Sequence, residues 1–222
     1  TIDIRYLHTA VDCYVDSDTA YVIDNHDNKY EAERVVVCSG SDVQTLFPEL
    51  MAEGDMQLVK LQMMLTAPQP QVKLPGNILA GLTIRRYAAF KDAPSYDELE
   101  PLAPAQQALV DRGVHVLFKQ AWDGSIILGD THDYAPASTP EALDWQSDMQ
   151  LNRDLIVEAQ RILALDDWTL HSTWVGKYTQ TRDGDLFQET IDDQIHIATG
   201  IGGKGMTCSF GVAAETVAGW YD

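Results

Sequence analysis

Short runs of alternating apolar and polar positions fill the first forty residues. Positions 11–15 and 20–24 alternate about Asp16-Ser17-Asp18, and Asp24-Asn25-His26-Asp27-Asn28 forms a second polar turn, which predicts a β-meander. The meander runs into Glu33-Arg34-Val35-Val36-Val37-Cys38-Ser39-Gly40, a continuous apolar stretch expected of a strand buried on both faces. Ligands gather at the carboxyl ends of such strands. Positions 58–66 and 78–88 predict two more strands, with Pro68, Pro70 and Pro75 confining the segment between them to loop or edge. Helical spacing over 94–112 is broken by Pro101 and Pro104 and stops at Gly113, a C-cap. Positions 114–118 and 125–129 pair as a hairpin around Trp122-Asp123-Gly124. Thr139-Pro140-Glu141 reads as a helix start, with Thr139 as N-cap and Pro140 in the first helical position. Leu151, Leu155, Ile156, Ala159, Ile162 and Leu163 then make a stripe of 3.6-residue period, so this region lays one face on a sheet. A strand over 168–178, a turn at 183–185 and a buried strand over 194–199 complete the pattern.

That last strand delivers Gly200-Ile201-Gly202-Gly203-Lys204-Gly205-Met206-Thr207 and then a helix, which Thr207 or Ser209 can cap. Glycines allow positive φ and let N–H groups lie flat against a ligand, and the helix start adds its positive dipole end. Gly200, Gly202 and Gly205 fit G-x-G-x-x-G, but a phosphate turn needs a second parallel strand and an acidic residue about 20 positions on, and the sequence stops at Asp222. A P-loop needs Ser or Thr where Gly205 follows Lys204. A ligand here is therefore held by some part other than its pyrophosphate; the plain alternative is a glycine turn with no ligand.

The formal charge of −19 over 222 residues argues against nucleic acid or an anionic membrane as partner, because both need clustered Lys and Arg. Cys13, Cys38 and Cys208 are odd in number and widely spaced, which suggests reduced thiols packed in the core of a cytoplasmic protein. No apolar run or signal peptide marks export. Thr1 enters directly into a strand pattern, so upstream sequence is expected. His8, His26, His115, His171 and His196 show no ligand spacing with the cysteines, so no metal site is expected. Ser39, Ser41, Ser172 and Ser209 lack a G-x-S-x-G setting, which gives no support for serine hydrolysis. His132, after Gly129-Asp130-Thr131, is either an acid–base group or a surface turn histidine. In Arg85-Arg86-Tyr87, read as strand, one arginine can point into a cavity as an anion clamp.

Five segments in order, Arg34-Val-Val-Val-Cys-Ser-Gly40, Leu61-Gln62-Met63, Trp122-Asp-Gly-Ser-Ile-Ile-Leu-Gly-Asp-Thr131, Trp174-Val-Gly-Lys-Tyr-Thr-Gln-Thr-Arg-Asp-Gly184 and Ala198-Thr-Gly-Ile-Gly-Gly-Lys-Gly-Met-Thr207, carry a resemblance over nearly the whole chain. The chain resembles the D-amino acid oxidase and sarcosine oxidase group of FAD-dependent oxidoreductases. The resemblance implies an α/β (α+β) fold of the FAD-linked oxidoreductase type: a mixed-sheet substrate domain with helices, plus the meander and the C-terminal strand-loop-helix of a flavin domain. The family's opening Rossmann βαβ unit, which holds the ADP half of FAD, has no counterpart here, and that missing N-terminal FAD-binding segment becomes an implied partner. Residues 1–47 and 186–222 would be the later flavin-domain pieces, with a substrate domain at 48–185 between them.

The activity so implied is oxidative deamination of an amino acid or amine. Hydride passes to flavin N5, the imine hydrolyses, and oxygen reoxidises the flavin. The resemblance places the flavin ring against Val11, Ser39, Gly40, Gly202 and Gly203. Lys204, Gly205, Met206 and Thr207 would stabilise charge developing at N1 and the C2 carbonyl. Lys204, Tyr178 and His132 are the catalytic candidates, and Lys177, Tyr178 and Arg86 those for substrate. Lys204 is otherwise a solvated loop lysine. Where the sarcosine oxidase branch has a His in this loop and a Lys soon after, this chain has Lys204 and Thr207. Where that branch attaches FAD through a Cys, it has Lys177, which implies noncovalent FAD. Lys177 does not replace the carboxylate-forking Arg of D-amino acid oxidases, and lysines suit a phosphonate as well as a carboxylate. The glycine loop looks most like a bacterial subgroup linked with aminophosphonate breakdown. The alternatives are a FAD-dependent hydroxy-acid or polyol-phosphate oxidase and a non-catalytic binding or assembly module; a homo-oligomer is compatible with each.

Overall fold

The computed structural model describes residues 2–220, apart from the side chain of Ala88. In chain order the elements begin with strands β1 (Ala10–Asp16), β2 (Thr19–Asp24), β3 (Lys29–Ala32) and β4 (Val35–Val37), then helix α1 (Pro48–Glu53), strand β5 (Met56–Thr66) and strand β6 (Ile78–Leu79). Helices α2 (Gly81–Arg86), α3 (Ala88–Lys91) and α4 (Pro104–Asp111) precede strands β7 (Leu117–Gln120), β8 (Ile126–Gly129) and β9 (Asp133–Pro136). Helix α5 (Met149–Gln160), strands β10 (Leu170–Thr181), β11 (Phe187–Ile191) and β12 (Ile195–Thr199), and helix α6 (Gly205–Gly219) follow. The fold is mixed α/β. It divides into two compact units, one of residues up to Val59, Tyr134–Ala142 and Tyr178 onward, the other of Lys60–Asp133 and Leu143–Lys177.

In the first unit β1, β2 and β3 form the expected antiparallel meander. Cys13 and Ala20 point inward, while Tyr14 and Tyr21, directly opposite in register, stack at 5.3 Å, and Lys29 caps the Tyr21 ring at 3.6 Å. The polar turn is organised by one buried carboxylate. Asp24 accepts from the backbone of His26 and Asn28, from the Asn28 amide, from Tyr30 Oη at 2.7 Å and from His8 Nδ1 at 2.6 Å. Burial alone would raise this carboxyl, but those bonds outweigh it and hold the pKa far below the usual carboxylate range. A depressed folded-state pKa contributes stability that is present above the unfolded value, about 3.9, and lost progressively as pH falls from there through the folded-state value. Asp24→Asn is therefore expected to lower the melting temperature most at neutral pH, with the gap from wild type closing below about pH 4; parallel melts across pH check this.

A second sheet of the same unit runs β11-β12-β4, with β12 antiparallel to β11 and parallel to β4. Ile195 and Ile197 of β12 are fully buried. The return strand β4 departs from expectation. Val37 is buried but Val36 is 48% exposed, because among the described residues β4 is the sheet's edge and has only β12 beside it. The cysteine expectation also holds only at Cys13, since Cys38 and Cys208 are exposed.

In the second unit the sheet order is β10-β5-β8-β7-β6. Phe118 faces Leu128 across the β7–β8 hairpin, and with Met64, Val114, Val116 and Ile126 they meet Leu151, Leu155 and Ala159, the predicted stripe of α5. The strand expected over 78–88 lasts two residues before α2 begins. Ala80 accepts from the Ile84 amide, and Thr83 Oγ1 donates 2.8 Å to the Val116 carbonyl, so a run too short to distinguish periods of 2 and 3.6 is settled as helix by its neighbours. Arg85 and Arg86 consequently share the last turn of α2 and do not alternate on a strand. Within 94–112 regular α-helix is confined to α4, which starts at Pro104; Gly113, at φ 71°, follows the cap residue Arg112 in the left-handed geometry expected. Thr139-Pro140 starts only a single 3-10 turn, Pro140–Ala142. The helix waits for Asp148, whose carboxylate accepts from the amides of Gln150 at 2.8 Å and Leu151 at 3.0 Å.

Candidate active site

β12 carries the chain into the glycine turn, and two positive φ values let the turn close on the end of β10. Gly200 (φ 78°) leaves no slack, since a Cβ there would lie 3.3 Å from Phe187. At Gly202 (φ 67°) a Cβ would meet Gln180 at 3.1 Å and the Tyr178 ring at 3.9 Å; at Gly203 it would lie 3.8 Å from the Tyr178 hydroxyl. A bridge between Gln180 and Ile201 and a bond from the Thr181 amide to the Gly200 carbonyl hold the contact. The Ser39-Gly40 turn joins through buried hydroxyls. Thr179 Oγ1 donates to the Gly40 carbonyl at 2.9 Å and Thr199 Oγ1 to the same oxygen at 3.2 Å, with the two hydroxyls 3.1 Å apart. Gly40 sits at φ 62° with open space where a Cβ would stand, and the Ser39 Oγ is buried without a hydrogen-bond partner. The open space at Gly40 suits the close approach of a ligand edge to the backbone. Thr179 thus holds Gly40 while its neighbour Tyr178 lies against Gly202 and Gly203, all within one unit.

The rest of the loop is more exposed. Lys204 is the N-cap of α6 without a side-chain cap bond, so neither Thr207 nor Ser209 caps the helix. Its ammonium pairs with Asp185, whose carboxyl is held below its ordinary value by that hydrogen bond and charge. The Gly205 amide donates to the Gly202 carbonyl, because a 3-10 turn over Gly202–Lys204 runs straight into α6. The donors left over at the start of this helical run are therefore those of Gly202 and Gly203. Met206 and Thr207 are exposed, Met206 by 93%. Val11 is an exposed position of β1.

The other candidates belong to the second unit. The Lys177 ammonium donates to the Leu143 carbonyl and lies 4.3 Å over the Trp145 ring. His132 is buried, not a surface turn residue, and stacks on His115 at 4.5 Å with Asp130 between their donors; the Arg86 charge acts on all three. Sequence reasoning gave no role to Thr179, Thr199, His115 or Asp130. Thr179, Thr199 and Asp130 fall within the segments that carry the resemblance, and position 115 falls within the predicted strand 114–118, but neither signal assigns a partner.

No helix among the described residues is long and apolar enough to cross a membrane. No curated protein matches the sequence. Among solved structures, glycine oxidase from Geobacillus kaustophilus aligns with TM-score 0.63 and 16% identity over 95% of this chain and 47% of its own. NikD, an amino acid oxidase essential for nikkomycin biosynthesis, aligns with TM-score 0.65 and 14% identity over 92% of this chain and 49% of its own. Iminodiacetate oxidase from Chelativorans sp. BNC1 gives 0.61 and 14%, over 93% and 48%. The chain thus spans about half the length of these structures. The family model described as FAD dependent oxidoreductase matches residues 5–219, and by that match the chain belongs to the DAO family of FAD-dependent oxidoreductases.

Proposed function

We propose that this chain forms the ring-facing part of the flavin site and the substrate domain of an FAD-dependent enzyme that oxidatively deaminates an amine or amino acid, aminophosphonates included. The observation that carries this reading is that adjacent residues of β10 hold both glycine turns, Thr179 the Gly40 carbonyl and Tyr178 the 202–203 turn. Bound FAD would supply the two-electron acceptor that amino acid side chains lack. The amides of Gly202 and Gly203 and the Lys204 ammonium would hold negative charge on the ring's pyrimidine edge, with Lys204 leaving Asp185 to do so. Tyr178, Lys177 and Arg86 are assigned to substrate; His132, buried against His115 and Asp130, is left out of the proton transfer that the sequence suggested for it. FAD is held noncovalently, since Lys177 precedes Tyr178 where the related branch has a cysteine.

The missing N-terminal segment would cover apolar surface that this chain leaves open. Helix α6 has no buried residue and exposes Phe210 by 90%, and a groove of about 340 Å³ lies between Cys13, Val22, Val35 and Ser39. The exposed thiols Cys38 and Cys208 accord with a reducing, cytoplasmic setting.

The test is a peroxide-coupled screen of the full-length protein against amino acids, N-methyl amines and aminophosphonates, followed by acid precipitation, which should release the flavin. Peroxide only with hydroxy acids would overturn the deamination reading. Lys204→Ala is expected to slow flavin reduction or reoxidation more than tenfold, about 1.4 kcal/mol of barrier; unchanged stopped-flow rates would assign Lys204 to its pairing with Asp185 alone.

A further inference from the structure

The pair of strand ends that close the β7–β8 hairpin carries a second set of groups that the flavin site does not use. His115 enters β7, and Asp130 and His132 leave β8. Backbone bonds lock the two ends together: the His115 amide donates to the Asp130 carbonyl at 2.8 Å and the His132 amide to the Gly113 carbonyl at 2.9 Å. The side chains converge as a result. His115 Nδ1 lies 3.8 Å from Asp130 Oδ1, His132 Nε2 lies 3.9 Å from Asp130 Oδ2, and one donor atom from each residue falls within 4.8 Å of the others. All three are sequestered, with side-chain exposures of 8%, 14% and 4% for His115, Asp130 and His132.

We propose that His115, Asp130 and His132 bind one divalent transition-metal cation of the zinc class, with a fourth position open to water. Two imidazoles and a carboxylate are a donor set of the kind that zinc takes. Bonds of about 2.0–2.2 Å in a tetrahedron put donors about 3.4 Å apart, so the 3.8 Å and 3.9 Å separations need to close by roughly half an ångström, and the two imidazoles, stacked with 16° between their planes, need to turn so that both nitrogens face one ion. Asp130 is the member that calls for a cation. Its Oδ1 is buried without a hydrogen bond, although the charge of the Arg86 guanidinium acts on the carboxylate. The same guanidinium opposes a second positive charge nearby, so micromolar affinity is expected, weaker than that of a four-ligand structural site. Spacing against the cysteines could not reveal such a site, because its ligands are histidines and an aspartate joined only by the hairpin.

The purified full chain, dialysed against chelator-buffered Zn²⁺ at micromolar free concentration, should hold one equivalent by elemental analysis. His115→Gln and Asp130→Asn should each weaken binding at least tenfold, while His171→Gln, an exposed histidine, should leave it unchanged. X-ray absorption on the zinc-loaded wild type counts imidazole neighbours and needs no variant: two support the site. No saturable binding by the wild type, no imidazole in the metal's shell, or full binding by a folded His115→Gln/Asp130→Asn double variant would overturn it.

Discussion

Phe118→Ala is expected to destabilise the chain by about 3–5 kcal/mol, the usual cost of deleting a fully buried aromatic ring. Phe118 is wholly inaccessible and faces Leu128 in the register of the hairpin, with α5 closing the same core through Leu151, Leu155 and Ala159. Nothing smaller than a ring fills that volume without moving two strands and a helix. Leucine should recover part of the loss, since it refills much of the cavity. Urea unfolding followed by circular dichroism measures the effect as a shift of the midpoint. A loss under about 1 kcal/mol, below the range for large-to-small core changes, would mean that the core collapses around the gap.

The second large effect is expected at Gly113. Its φ of 71° costs an alanine about 1–2 kcal/mol, and the added Cβ would collide with the His132 carbonyl oxygen, where forced overpacking adds about 1–3 kcal/mol. Gly113→Ala should therefore cost roughly 2–5 kcal/mol by those two contributions. It should also weaken Zn²⁺ uptake more than its loss of stability explains, because Gly113 accepts the His132 amide. Denaturant melts and metal titration of the same variant separate the two. A mild variant with intact metal uptake would show that the α4–β7 connection yields easily.

Both positions were legible in part. Gly113 reads as a helix stop from its place after 94–112, yet its contact with His132 joins segments that no local pattern connects. The β7–β8 hairpin, α5 and β12 follow from periodicity because each buries one face, or two, within a single run. Residues 78–88 do not, because Leu79, Leu82 and Ile84 fit either period and the decision lies with the Val116 carbonyl. Asp148 outcompetes Thr139-Pro140 as a helix start because its carboxylate reaches two amides, and that competition is decided by geometry. At the site, glycine content marked the turn and motif order marked Tyr178. The Thr179–Gly40–Thr199 contact, the Lys204–Asp185 pair and the burial of His132 depend on distant partners that composition does not name.

The threonine clasp also bears on the order in which the protein folds. Its bonds tie Gly40 to residues 139 and 159 positions away, whereas Thr179 and Thr199 are only 20 apart. Loops of that length must close against chain entropy before their contacts return anything. The meander and the β11–β12 hairpin can each form from neighbouring residues, so Gly40 is exposed early in synthesis and waits for the C-terminal third of the chain. The clasp is accordingly completed late, and on the proposed reading the flavin-facing surface is a late acquisition of the folding chain.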